Sequence, residues 1–181
     1  MVWQTYDYYF EPTAAYFAIK KASEPLHIQW NPVTDEVEVV NYSGGNRKGL
    51  TAKAQVLNMD ASVAWEKEVA IDSKEDTTNK CIQLEFPDNL SKVHFIKMVL
   101  AENGKVISEN FYHRSLEENN YQDLRNLPKV ALKSDVTTNK GTDGNWNGIV
   151  VIENTTSTPA LMIRVNVVCL LYTSPSPRDT R

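Results

Sequence analysis

The stretch Met1–Asn31, MVWQTYDYYFEPTAAYFAIKKASEPLHIQWN, changes period in its middle, and that change decides the fold. Before Pro25, Ala14, Ala15, Ala18, Ile19 and Ala22 recur at helical spacing, whereas beyond it apolar and polar residues begin to alternate. Pro12 suits a first helical turn, where its missing N–H costs nothing, and Lys20 and Lys21 oppose the macrodipole in the last turn. Pro25 biases Glu24 out of the helical region. The pattern predicts one short helix from about Pro12 to Ser23. A lone helix of this length is marginal in water, and its alanine-rich face implies a larger body to lie against. The 181 residues do not supply that body, so the chain is expected to begin inside a larger architecture.

From His27 onward the pattern is all-β. Glu36-Val37-Glu38-Val39 alternates as a half-buried strand does, and Asn41 to Asn46, NYSGGN, is turn chemistry. Ala52, Ala54 and Val56 alternate, as do Trp65, Lys67, Val69 and Ile71, with Asn58 to Ser62 between the two runs as a hairpin connection. Ile82, Leu84 and Phe86 alternate before Pro87. Phe95–Leu100 and Lys105–Asn110 flank Asn103-Gly104, the strongest short hairpin signal in the chain. Short strands at such spacing predict a two-sheet sandwich from about His27 to Arg114. After Leu127-Pro128 the pattern restarts, with Val130 to Ser134 opening a strand, Thr138 to Gly144 as a polar turn, and Asn147–Asn154 and Leu161–Val168 as two further strands. Three strands do not close a two-layer core, so a truncated second sandwich with exposed apolar edges is expected.

Two segments carry a resemblance to a known family. The run WQTYDYYFEPTAAYF, then KKASEPLHIQWNP and VEVVNYS, is similar to the junction in glycoside hydrolase family 2 enzymes of the exo-β-glucosaminidase and β-mannosidase-like type. There the last helix of a (β/α)8 barrel passes into an immunoglobulin-like sandwich. Ile107–Leu132, ISENFYHRSLEENNYQDLRNLPKVAL, resembles that family's exit from the first C-terminal sandwich, with His113 where a Trp is common. The resemblance covers about Val2 to Val168 and is to bacterial enzymes. It implies a mostly β fold: residues 1–26 as the barrel end, 27–122 as an immunoglobulin-like β-sandwich, and 123–168 as the start of a second, truncated one. It also implies a periplasmic or extracellular parent enzyme that meets its carbohydrate substrate through a barrel absent from this chain. Residues 169–181, opening CLLYTSPSPRD, resemble a translated sequencing adapter and are expected to be a tail without a packed environment.

Composition limits the function classes. With 41% apolar and 23% charged residues the chain is ordinary for a soluble domain, and a net charge of −4 gives no reason to expect nucleic acid or an anionic membrane as partner. No apolar run reaches the roughly 18 residues of a spanning helix. His27, His94 and His113 lack companions at ligand spacing, so neither a metal nor a cofactor is expected. Cys81, in KCIQLEF, reads as a small buried hydrophobe. Asn41, Asn89 and Asn154 head glycosylation tripeptides, a pattern common by chance.

A retaining glycosidase needs two carboxyl groups about 5–5.5 Å apart. Glu36 and Glu38, Glu66 and Glu68, Glu102 and Glu109 sit at strand alternation or beside turns and read as solvated faces, so no catalytic residue is assigned. The resemblance puts the catalytic pair upstream of Met1. Among the aromatics, Trp3, Tyr6, Tyr8 and Tyr9 would follow the last barrel strand and wedge barrel against sandwich, with Trp3 as the substrate-rim candidate. Trp30 and Trp65 read as core or interdomain residues, and Trp146, beside Asp143, Gly144 and Asn145, as the exposed one. The reading is an accessory segment of a family 2 exo-glycosidase acting on β-glucosaminides, β-mannosides or β-galactosides. A stand-alone carbohydrate-binding or adhesion module is the alternative, disfavoured by the helix, and a free-standing enzyme is disfavoured by the missing carboxylates.

Overall fold

The structure is a computed structural model that describes residues 5–7, 12–161, 163 and 165. The chain divides into two compact units between Pro128 and Lys129. The first opens with helix α1 (Ala14–Ala22), inside the predicted Pro12–Ser23, with Thr13 as N-cap and Lys20 and Lys21 in the last turn. Seven strands follow: β1 (Leu26–Asn31), β2 (Glu36–Asn41), β3 (Arg47–Asn58), β4 (Val63–Ser73), β5 (Thr77–Gln83), β6 (Val93–Glu102) and β7 (Lys105–Ser115). They pair antiparallel into a three-stranded sheet, β1-β2-β5, and a four-stranded sheet, β4-β3-β6-β7. A 3-10 turn, Gln122–Asn126, lies on the way out.

One cluster of side chains fills the space between the sheets, so the expected sandwich from His27 to Arg114 is present, with its strands running Leu26–Ser115. Ile28, Val37, Val39 and Ile82 face Leu50, Ala52, Ala54, Ile96, Met98 and Leu100, all at most 2% exposed. Each set follows the period of two that places every other side chain inward. Ala52 stands opposite Leu100 and Ala54 opposite Met98, so small residues on β3 leave room for large ones on β6. The β6–β7 connection is the Asn103-Gly104 turn, with φ of 51° and 77° at the two residues, the left-handed pair a two-residue hairpin needs.

The ends of the sandwich are sealed by polar side chains. Asn41 is fully buried; its amide nitrogen donates to Gly45 O at 2.9 Å and its carbonyl accepts from Gly44 N at 2.9 Å. A Cβ on Gly44 would stand 2.9 Å from both Asn41 Oδ1 and Leu26 Cβ, so the turn needs glycine there. This burial removes Asn41 as a glycosylation acceptor. At the opposite end His94 is 0% exposed, with Nδ1 3.2 Å from Ser91 O and Nε2 3.3 Å from Arg114 Nη1. Arg114 can only donate, so Nε2 accepts and the proton sits on Nδ1, leaving the ring neutral. The same guanidinium lies 4.1 Å over the Phe86 ring, a cation–π contact.

The second unit holds β8 (Leu132–Lys140) and β9 (Trp146–Asn154), a regular antiparallel hairpin with Gly141 to Asn145 at its tip. The predicted turn from Thr138 gives way to strand because β8 continues to Lys140. Val136, Trp146, Ile149 and Val151 are each more than half exposed. Of the expected strand Leu161–Val168, residues 161, 163 and 165 are not in a strand and the others lie outside the described residues, as does the tail from Cys169.

Two outcomes follow from this packing. Met98→Ala is expected to cost about 2–5 kcal/mol by leaving a cavity in the shared core, read from urea unfolding. Burial first, and then the Arg114 charge, hold the His94 pKa below its ordinary value. A base whose folded pKa is depressed contributes stability that is fully present above about pH 6.5 and is lost as pH falls through that value. The unfolding midpoint should therefore drop between pH 7 and 5, and His94→Gln should flatten that drop; an equal slope in the variant would refute the assignment.

Candidate functional site: the joint between helix and sandwich

The described carboxyl groups bear directly on catalysis. Glu36 is paired with Lys80, Glu66 with Lys53 at 3.2 Å and Gln55 at 2.9 Å, and Glu117 with Lys92 at 2.9 Å and Asn120 at 2.7 Å. Each of these partners pulls the carboxyl below its ordinary value, as Ser62 does Asp60 and Asn145 does Asp143. A glycosidic general acid needs the opposite displacement, so that it still carries its proton at neutral pH.

Glu38 differs from the solvated reading given to it: it is only 7% exposed. Its two oxygens accept from Gln29 Nε2 and Asn31 Nδ2, both at 3.0 Å. Gln29 stands directly opposite Glu38 across the β1–β2 ladder, so amide side chains on the neighbouring strand shield the carboxylate. The signal was present in the alternation of polar residues at 27, 29 and 31, but it becomes readable only once the register is known.

Cys81 is half-buried and its thiol approaches Val37 O at 3.3 Å. Burial pushes its pKa up to about 11, which keeps it protonated and unreactive at neutral pH. Among the described residues no group of three or more His, Cys, Asp or Glu side chains is arranged to hold a metal ion.

A polar network lies where the helix hands over to the first strand. Ser108 on β7 is buried; its hydroxyl donates to Glu24 Oε2 at 2.8 Å and accepts from Ile28 N at 3.4 Å. The other oxygen of Glu24 takes the Lys21 ammonium at 2.8 Å. Burial alone would raise the Glu24 pKa, but the bonds from Lys21 and Ser108 outweigh it and hold the carboxyl below its ordinary value. Tyr42 reaches back from the β2–β3 turn to donate to Ser23 O at 2.9 Å, and His27 Nδ1 lies 2.8 Å from Glu24 O. Asn110, next inward-facing residue along β7, donates to Ile28 O at 3.2 Å and to Tyr112 Oη at 3.1 Å. Tyr112 in turn meets Trp30 edge-on at 5.7 Å. The linker from Ser23 to Ile28 is thus tied to β7 and to the β2–β3 turn by side chains distant in sequence.

Helix α1 itself contributes no buried residue, and Phe17 and Ile19 are 59% and 55% exposed. Tyr16 and Lys21 are partly covered, the Tyr16 ring lying 5.4 Å from Tyr6 and 5.3 Å from Phe17. The rim candidate Trp3, with Tyr8 and Tyr9, lies outside the described residues. Trp30 and Trp65 pack against the core as expected, and Trp146 is 71% exposed.

Residues 110–170 match the exo-beta-D-glucosaminidase Ig-fold domain family. The chain is 30% identical to an exo-beta-D-glucosaminidase of Streptomyces avermitilis, covering 92% of this chain and 21% of that protein. It is 27% identical to that of Hypocrea jecorina with the same coverage, so the likeness expected to bacterial enzymes extends to fungal ones. The crystal structure of the exo-chitosanase CsxA of Amycolatopsis orientalis superposes with a TM-score of 0.75 at 26% identity, over 85% of this chain and 21% of that one. The chain therefore spans about a fifth of the length of the relatives it matches. From the fold, the joint and these likenesses together, the chain belongs to the immunoglobulin-fold region of the exo-β-D-glucosaminidases of glycoside hydrolase family 2.

Proposed function

We propose that this chain is the accessory region of an exo-β-D-glucosaminidase, which removes single glucosamine residues from the end of a β-linked chain. The observation that carries the reading is a helix with no buried residue, held to the sandwich by a network of fixed geometry. A helix kept in place while its apolar side stays bare is a joint: one side is fastened, the other awaits a partner. In this reading α1 is the last helix of a (β/α)8 barrel, the sandwich buttresses that barrel, and β8 and β9 open a second immunoglobulin-like sandwich. Trp3 then stands near the active-site face of the barrel, since loops at the C-terminal ends of barrel strands line that site. The parent enzyme works in the periplasm or outside the cell, where a polymeric substrate is met.

The catalytic carboxylates belong to the barrel. What the region supplies is position, because a displacement of about 1 Å in supporting structure lowers turnover by about a hundredfold. The aryl β-glucosaminide test separates this from a free-standing enzyme. The 181-residue chain is expected to release no aryl alcohol, whereas a chain extended upstream through the barrel should turn over; activity of the short chain that a single acidic substitution abolishes would refute the assignment.

The joint has its own test. Ser108→Ala leaves one Glu24 oxygen and Ile28 N without their shared partner, and is expected to lower sandwich stability by about 1–3 kcal/mol. In the extended enzyme the same substitution should reduce kcat more than it raises KM, since substrate contacts are untouched. A rise in KM alone would show that this region binds substrate and does not position the barrel.

A further inference from the structure

The end of the sandwich from which the chain departs is closed around a histidine and an arginine. His94 and Arg114 stand directly opposite across the β6–β7 ladder, and Val93 pairs with Ser115 one rung further out. Loop 84–92 folds over this end and brings the Phe86 ring to 5.8 Å from the His94 ring and 4.1 Å from the Arg114 guanidinium. The loop is fastened on two further sides. Ser91 N donates to Asn58 Oδ1 at 2.9 Å and Ser91 Oγ accepts from Met59 N at 2.8 Å, which ties it to the β3–β4 turn. Lys92 O accepts from Leu116 N at 2.9 Å and Lys92 Nζ meets Glu117 at 2.9 Å, which ties it to the departing chain.

The tie through His94 depends on a proton. Arg114 donates to Nε2, which accepts only while the imidazole is neutral. Protonating the ring turns Nε2 into a donor and sets two cations 3.3 Å apart. Nδ1 donates to Ser91 O in either state, so the ring keeps its place and the guanidinium is the group that must leave. The carboxylates carried by the turns at this end are committed elsewhere: Asp35 accepts from Trp30, Asp60 from Ser62, and Glu117 from Lys92 and Asn120. Glu85 and Asp88 stand exposed on the loop. Among the described residues, Arg114 is the charged side chain that acts on His94. The core cluster on β6 begins at Ile96, two residues further in, and does not include His94.

We propose that His94 and Arg114 form an acid-opened clasp: a proton on the imidazole drives the guanidinium off the Phe86 ring and frees loop 84–92 from the departing chain, while the core between the sheets stays folded. The clasp is shut at neutral pH, and the open form gains about tenfold per pH unit below about pH 6.5, as a step that takes up one proton must. Tyr121 keeps its edge-on contact with His113 at 5.0 Å. The departing chain therefore gains slack over residues 115–121 without being cut loose.

The test follows the 181-residue chain by NMR from about pH 7.5 to about pH 4.5, on either side of the ordinary histidine value. The signals are the His94 ring, the Phe86 ring, the Leu116 amide, and the methyl groups of Val37, Ile96 and Met98. The expected result is one midpoint shared by His94, Phe86 and Leu116, with the three methyl signals in place. His94→Gln supplies an acceptor that takes up no proton and should hold Phe86 and Leu116 at their neutral-pH positions throughout. Arg114→Gln removes the cation and supplies a carboxamide that can turn its oxygen toward the imidazolium, so His94 should titrate at higher pH with Leu116 unmoved. The clasp is overturned by protonation of His94 that leaves Phe86 and Leu116 where they were, or by loss of loop and methyl signals together. An acid shift of Leu116 that survives either substitution, or a His94 midpoint that Arg114→Gln leaves unchanged, would overturn it equally.

Discussion

The hydroxyl of Ser108 is the point on which the first unit turns. It sits on the last strand of the four-stranded sheet, yet it holds the carboxylate that ends the helix and the backbone of the first strand of the other sheet. Buried polar groups are tolerated only where they are bonded, and this one is bonded on both sides. The consequence is geometric: the direction in which the helix leaves the sandwich is set by β7 as much as by the Ser23–Leu26 linker. Asn110 repeats the device one rung along, tying the same strand to Ile28 O. Tyr42 adds a third tie from the opposite side of the linker.

Much of this architecture was legible in the residues. Alternation at Val37 and Val39, at Ala52, Ala54 and Val56, and at Ile96, Met98 and Leu100 marks one inward face per strand, and Asn103-Gly104 admits little but a tight hairpin. Pro12, the lysine pair and Pro25 bracket the helix for reasons local to it. What the sequence hid was everything that depends on register. Glu38 reads as exposed until Gln29 is known to stand across from it, and Ser108 reads as an ordinary polar residue in an alternating strand until β7 is known to lie beside β1. The turn expected from Thr138 is strand because Thr138 and Asn139 find ladder partners in Gly148 and Asn147, which turn-like composition does not exclude.

The chemistry of the described groups is that of a support. Carboxylates are held ionised by their partners, His94 is kept neutral by burial, and the thiol of Cys81 is kept protonated. None of these displacements stores a proton where a reaction could draw on it. They do settle charge where it stabilises loops and strand edges, as Arg47 does for Glu102 across the β3–β6 pair at 3.2 Å and Lys92 for Glu117 at the exit from β7. The cation–π contact of Arg114 with Phe86 fastens the loop before β6 to the last turn of β7, so the end of the sandwich from which the chain departs is closed by the same strand that fixes its entry.

The tie between Ile28 and Ser108 joins positions 80 residues apart. During synthesis, then, the joint cannot form until β7 has left the ribosome, and the helix made long before must wait unfastened. Non-local closure of this kind is slow, on the order of milliseconds to seconds, because the entropy of the intervening loop is lost before the contact rewards it. Any upstream body would thus have its whole folding time to meet the helix before the sandwich fixes the angle, and assembly would run from the N-terminal side to the C-terminal side. The last strand of the sandwich acts as a timer on the joint as well as a wall of it.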